Sequence, residues 1–347
     1  MTSYGRAAKL LCFAAFTDAL AFCATDAQSV VNPVGPQSGK IAGLWWFFFW
    51  LLGAIFLLVM VAALWTLTRP NRGLAQEPLE GTHQVSQETE SRATRVVTGA
   101  SIATVVILFV LIVASVSTGK GLAELPYKKN TLTIEVMGTQ WWWNITYQNS
   151  DSSLVFTTAN EIHIPTGRPV QIRGLSNDVI HSFWVPNLHG KADFIPSRVN
   201  TEWIQADKPG VYRGQCAEFC GLQHAHMIIY VIAETPENFR KWYEHQLQPS
   251  GQPSDPTTQR GQQVFMNNAC VYCHQIRGTD AAGQNGPDLT HFGSRLGIAA
   301  NTVPNTPGNL GGWIADPQST KPGNHMATVA VNSADMQPLI NYLESLK

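Results

Sequence analysis

Charge is scarce in this sequence. Asp, Glu, Lys and Arg make up 14% of its 347 residues, where about a quarter is usual. The net charge of −1 removes the electrostatic basis for binding nucleic acid. Cysteine is sparse too. The six fall in three pairs: Cys12 and Cys23, Cys216 and Cys220, Cys270 and Cys273. The last four stand in metal or cofactor spacings, so few are left for structural disulfides. No general acid–base pair, nucleophile arrangement or open metal position is legible. What the chain has in place of charge is apolar mass: 44% hydrophobic residues, with 11 Trp and 15 Phe.

That mass is concentrated. Residues 41–68 and 96–119 contain no charged side chain, and a helix of about 20 residues covers the ~30 Å hydrocarbon core of a bilayer. Both stretches exceed that, which predicts a hairpin of membrane helices at about 41–67 and 96–118. Trp45 and Trp46 sit where interfacial aromatics belong, and Arg69, Arg72, Arg92 and Arg95 between the spans favour a cytoplasmic loop. Residues 1–27 read as an export signal: Arg6 and Lys9, two apolar segments, and small residues before a cleavage point after Ala27. Lipidation at Cys23 is the alternative, against which the bulk of Phe22 counts.

Residues 130–235 read as strands. Ile134 and Val136, Ile162 and Ile164, and Val170 and Ile172 alternate with polar neighbours, and 227–232 forms an apolar run. Pro and Gly punctuate these segments, which predicts a Greek-key β-sandwich. Three adjacent tryptophans, Trp141 to Trp143, cannot all face one side of a strand, so at least one must be exposed or at an interface.

The chemistry lies in Cys216-Ala-Glu-Phe-Cys220-Gly-Leu-Gln-His224-Ala-His-Met227, with His181 upstream beside Asp178. Thiolate, imidazole and thioether together select copper or zinc over hard cations. Three residues between the cysteines is the wrong spacing for a zinc knuckle. It suits a loop wrapping two sulfurs around two copper ions, with His181 and His224 capping one each. Met227 and the Glu218 carbonyl would be weak ligands. A Cys216–Cys220 disulfide is the competing reading. Further on, Cys270-Val-Tyr-Cys273-His274 is the C-x-x-C-H signature of covalent haem attachment. Its two thiols reach the vinyl groups while the imidazole approaches the iron.

C-x-E-x-C-G-x-x-H-x-x-M, with the upstream D-V-x-H-S and Q-W-x-W segments, resembles subunit II of haem–copper cytochrome c oxidases over residues 28–247. Lys321-Pro-Gly-Asn-His-Met326 resembles the K-P-G-x-x-M of class I cytochromes c. Met326 is therefore the expected second haem ligand, with His325, Met336 and His291 as rivals; Ala327 stands where the family often has Pro. The whole resembles the caa-type variant, in which a cytochrome c domain is built into the subunit.

The resemblance implies a two-helix transmembrane hairpin (28–120), an all-β cupredoxin-like Greek-key CuA domain (121–247), a spacer (248–258) and an all-α class I cytochrome c domain (259–347). The spacer would have a flexible reach of about 16–19 Å. The implied cofactors are dinuclear copper, one covalent haem c, and magnesium on the Glu218 side chain. Trp141 is expected as an exposed aromatic through which electrons reach copper. Asp193 and Arg198 would face subunit I, Pro287 would pack on the haem, and Trp313 or Arg295 would meet a propionate or simply pack. Expected partners are subunit I and other oxidase subunits, an external donor such as cytochrome c, and the lipid of a bacterial inner membrane, with both redox domains on the periplasmic side. Oxygen reduction to water and proton pumping would occur on subunit I, not on this chain. The family's E-x-x-W-T-x-x-P is missing at the second span, so Glu88 and Glu90 receive no proton role. An electron-input subunit of a nitric oxide reductase and a tethered copper-delivery protein are the alternatives.

Overall fold

A computed structural model describes residues 28–68, 87–124 and 131–347. The expected export signal, Arg69 and Arg72 lie outside the described residues. The chain divides into two units, one of residues 40–124 and one containing the remainder.

The first unit is helical. Helix α1 runs Pro36–Thr68 and α2 runs Gln87–Ala123, both long and apolar enough to cross a membrane. Their side chains face outward: Trp50 is 68% exposed and Leu58 69%. That surface suits lipid, and the backbone bonds internally as an apolar solvent requires. Helix α2 starts nine residues before the uncharged run, so Glu88 and Glu90 lie on its first turn, with Glu88 paired to Arg92 at 3.7 Å. An uncharged stretch marks the apolar length of a helix, whereas Glu and Arg continue it readily.

The second unit holds the sheets. Strands β1 (Thr133–Thr139), β2 (Trp142–Gln148), β3 (Phe156–Ala159), β4 (Glu161–Pro165) and β5 (Val170–Ser176) come first. Strands β6 (His181–Trp184), β7 (Ala192–Phe194), β8 (Asn200–Ile204), β9 (Gly210–Cys216) and β10 (Ile228–Glu234) follow. They form two five-stranded sheets, ordered β3-β2-β1-β5-β8 and β4-β10-β9-β6-β7. The β1–β5 and β4–β10 pairs are parallel, a mark of chain crossing between sheets. This is a cupredoxin-like sandwich. Ile134, Val136, Ile162, Ile164, Val170 and Ile172 are all fully buried between the sheets. The 227–232 run is not uniformly buried, since Tyr230 and Ile232 take the outer face of β10.

After helix α3 (Pro236–Gln246) comes a helical module: α4 (Pro256–Met266), α5 (Cys270–Cys273), a short β11–β12 ribbon (Gly297–Ile298, Val303–Pro304), α6 (Pro307–Ala315), α7 (Pro317–Thr320) and α8 (Ser333–Ser345). Val264 and Phe265 pack on Leu339, Ile340 and Leu343 where α4 meets α8. Gly261 makes that approach possible, because a Cβ there would lie 2.0 Å from the Pro338 carbonyl oxygen. The expected free tether is instead laid onto the module. Ser250 donates through both N–H and Oγ to the Arg277 carbonyl at 2.9 Å, while Arg277 donates to Gln246 O. Asp255 then caps α4, three residues earlier than expected.

Replacing Gly261 with Val should separate α4 from α8. Overpacking of this kind costs about 1–3 kcal/mol, a loss of at least ~4 °C in the module's melting temperature, read by calorimetry on the haem-loaded protein. An unchanged melting temperature would contradict the close crossing.

Candidate metal centre and haem site

Cys216 ends β9, and Cys220, His224 and Met227 lie on the loop that returns to β10. The loop is closed by Cys216 N–H donating to Met227 O at 3.0 Å. His181 opens β6, which pairs with β9 opposite Cys216's neighbourhood. The two sulfurs lie 3.7 Å apart and both cysteines are free. A disulfide needs about 2.05 Å, so the competing reading fails in this structure. Cys216 Sγ is 3.9 Å from His181 Nδ1 and 3.2 Å from the Glu218 carbonyl. Cys220 Sγ is 3.6 Å from His224 Nδ1 and 3.9 Å from Met227 Sδ. His181 and Met227 are fully buried, and the cysteines nearly so.

These donors fit a soft dinuclear metal. One ion with bonds of ~2.3 Å to thiolate can touch both sulfurs at this separation, and each sulfur has its own imidazole. The two thiols also titrate against each other. The Sγ–Sγ hydrogen bond with Cys220 pulls Cys216 down to about 3, aided by His181 and opposed by burial, and the same contact pushes Cys220 up. Burial disfavours the charged His181 imidazole, but its bonds to Cys216 and Asp178 outweigh that and raise it.

Outer partners brace the ligands. Asp178 Oδ1 lies 2.7 Å from His181 Nε2, while Oδ2 accepts from Gln140 N–H at 2.7 Å. That fixes Nδ1 toward the sulfur, as carboxylate partners of ligating histidines do. The Cys220 carbonyl accepts from Gln140 Nε2 at 2.7 Å and Trp141 Nε1 at 3.0 Å. Gly221 has φ +115°, and a Cβ there would lie 3.1 Å from the Trp141 ring. Gly138 was not singled out in the sequence, yet a Cβ on it would sit 2.7 Å from the His181 ring. An isolated glycine in a strand pattern marks such a close approach.

The tryptophans differ from expectation. Trp143 is fully buried among Phe183, Phe194 and His181, and Trp142 is half-buried. Trp141, expected to be exposed, is 6% exposed. The loop after α7 covers it: Lys321 Nζ donates to Trp141 O at 2.7 Å, and the His325 ring lies 5.4 Å from the indole. Lys191 bridges the carboxylates of Asp193 and Glu218, with 3.1 Å to Glu218. Arg198 is exposed.

In the helical module, α5 places Cys270 and Cys273 one turn apart, half-buried and exposed respectively. His274 follows at once, and its Nδ1 lies 2.8 Å from the Pro287 carbonyl. That bond leaves Nε2 for iron, and burial lowers the imidazole's affinity for a proton, so the donor set fits a covalently held haem. Pro287 acts through this carbonyl, and Gly286 leaves room for the ring, since a Cβ would lie 2.7 Å from it. Met326 is half-buried, its N–H donating to Asn324 Oδ1 at 2.8 Å. Among the rivals, His291 directs both ring nitrogens at carbonyls, His325 lies against Trp141, and Met336 packs on the module core. Arg295 is half-buried, bonded to Asp288 O and 3.3 Å from Thr158 Oγ1, and Trp313 packs on the core.

Residues 150–234 match the family "Cytochrome C oxidase subunit II, periplasmic domain", and residues 258–347 match "Cytochrome c". A cytochrome c oxidase subunit 2 of Alkalihalophilus pseudofirmus is 42% identical over 63% of this chain and 62% of its own. One from Bacillus sp. strain PS3 is 33% identical over 70% of this chain and 72% of its own. The chain belongs to the cytochrome c oxidase subunit 2 family. It spans 62% of the length of the first relative. The solved periplasmic domain of subunit II of cytochrome oxidase from Bradyrhizobium japonicum is 31% identical over 35% of this chain and 96% of that one, with a TM-score of 0.32. Within a subunit 2, the two matched domains imply a copper centre and a haem.

Gly138→Ala in this subunit 2 should displace His181 from the sulfur pair. Outer-shell changes of this kind cost about 10–100-fold in metal affinity, measured by copper titration of the purified protein. An unchanged affinity would show that the ring has room to move.

Proposed function

We propose that this chain is the electron-input subunit of a respiratory terminal oxidase. Electrons from an external donor such as cytochrome c would reach one covalent haem c, then dinuclear CuA, then a haem–copper subunit I that reduces oxygen to water and pumps protons. The observation that carries this is the sulfur pair 3.7 Å apart, with an imidazole beside each sulfur, in a chain that also holds C-x-x-C-H. When bound, such centres pass single electrons.

In this reading Cys216 and Cys220 would hold two copper ions between them, with His181 and His224 supplying one imidazole each. Met227 and the Glu218 carbonyl bind weakly. Cys270 and Cys273 would hold the haem, and His274 and Met326 would supply its iron ligands. Trp141 carries electrons to the copper loop, its indole N–H resting on the Cys220 carbonyl. The rigid strands around these side chains keep ligand positions constant between oxidation states. Magnesium at Glu218 would compete with the Lys191 ammonium already paired there, so its site would need oxygen ligands from subunit I. The two long apolar helices anchor the subunit, in a bacterial inner membrane, with the copper and haem domains on the periplasmic side. In this reading the domains remain 28–120, 121–247 and 259–347, with the spacer shortened to end at Asp255, which caps α4.

Cys216→Ser in the purified complex should leave haem c reducible by a donor while slowing reduction of the subunit I haem by more than about a hundredfold, since outer partners alone are worth 10–100-fold. Loss of an electron-spin signal shared over two coppers should accompany it. Undiminished delivery to subunit I would refute the copper route.

A further inference from the structure

The most heavily built surface outside the two cofactor sites lies between the haem module and the copper-loop end of the sandwich. Lys321 is 3% exposed. Its Nζ donates to three carbonyls: Trp141 at 2.7 Å, His226 at 2.7 Å and Ala299 at 3.2 Å. Two of these acceptors belong to the sandwich and one to the haem module. Asn301 reaches across to Asn160 O at 2.9 Å, and Ile228 N–H donates back to Ala300 O at 3.2 Å. Gln223 Nε2 donates to Pro322 O at 2.6 Å, and Leu296 N–H donates to Glu161 Oε1 at 2.7 Å.

The backbone making these contacts is held in a conformation that side chains avoid. Ala299, Ala300 and Asn301 have φ of 53°, 55° and 58°, and Asn160 opposite them 63°. Consecutive left-handed residues other than glycine are disfavoured and persist only where their surroundings over-determine them. Here the turn points Ala300 O at Ile228 of the sandwich, a bond made only while the modules stay together, and Ala299 O at Lys321 within the haem module. Lysine is almost never fully buried without partners. Three carbonyls accept from its amine in this structure, while burial pulls the amine down to about 7.

We propose that Lys321 and Asn301 are positioning residues that lock the haem module over Trp141, so that this indole serves the chain's own haem and is closed to soluble donor proteins. The inference rests on the electron-input reading above. The locked geometry sets His325 against the Trp141 ring, whose N–H rests on the carbonyl of Cys220. A ring 6% exposed offers no face to a docking cytochrome.

The test compares the wild-type complex with Lys321→Met and Asn301→Ala. Hydrogen exchange at the Ile228 and Leu296 amides, both donors across the interface, should speed by at least about tenfold in either variant, with β2 and α8 unchanged. After light-triggered reduction of haem c, wild-type transfer to copper should be independent of solvent viscosity. In the variants it should slow about tenfold and become viscosity-dependent, since the modules must first meet. A reduced soluble cytochrome c should reduce haem c before copper in the wild type; copper reduced first overturns the closure. Unchanged exchange and transfer in Lys321→Met overturn the lock. Should that variant loosen the whole haem module, Asn301→Ala decides, and no change there overturns it equally. A wild-type protein that carries both cofactors yet passes no electron between them would sink the electron-input reading instead, while the exchange data would still judge the lock.

Discussion

Two sulfur atoms 3.7 Å apart in the dry end of a β-sandwich set the terms for everything around them. Two thiolates this close repel, and a poorly polarisable surrounding magnifies the repulsion. The opposite pulls on Cys216 and Cys220 express that conflict: one gives up its proton easily only because the other keeps its own. A pair of cations between them removes the need for the shared proton. The donor set thus suits soft metal, and the residues around it hold the donors still.

Most of the surrounding residues do that work. Asp178 is bonded at both oxygens, one to His181 and one to the Gln140 amide, so the imidazole cannot turn. The carbonyl of Cys220 is held by two donors from the segment that leads into β2. Absent side chains at Gly138 and Gly221 let the His181 ring and the Trp141 ring approach to van der Waals contact. Electron transfer gains from such bracing, because ligands that do not move between oxidation states leave little rearrangement to drive.

The parts legible in the sequence were those with local patterns. Period-2 burial located the strands through Ile134, Val136, Ile162, Ile164, Val170 and Ile172, and uncharged length located the helices, though not their ends at Pro36 and Gln87. The donor types and spacings in 216–227 and 270–274 are likewise local, and the structure brings Cys216, Cys220, His181, His224 and Met227 together. What could not be read depends on distant chain. The bond from Lys321 to the Trp141 carbonyl joins residues 180 positions apart, and nothing beside Trp141 announces that a later loop will bury it. The Pro287 carbonyl that orients His274 is backbone, which no residue type encodes. Gly138 was visible as a glycine within a strand, but the ring it admits comes from β6.

The manner of attachment of the haem module follows from the same long-range contacts. A free spacer would hold donor and acceptor at an effective concentration of order mM, and transfer would still wait for the modules to meet. Here Ser250 and Arg277 tie the spacer to the module it precedes, which leaves little slack between the sandwich and α4. The left-handed turn at 299–301 and the buried ammonium of Lys321 then hold the module against the copper loop. A left-handed turn and a buried amine are costs that a module visiting only briefly would not repay. Their presence argues that the haem module is seated as part of the fold and not held as a free appendage.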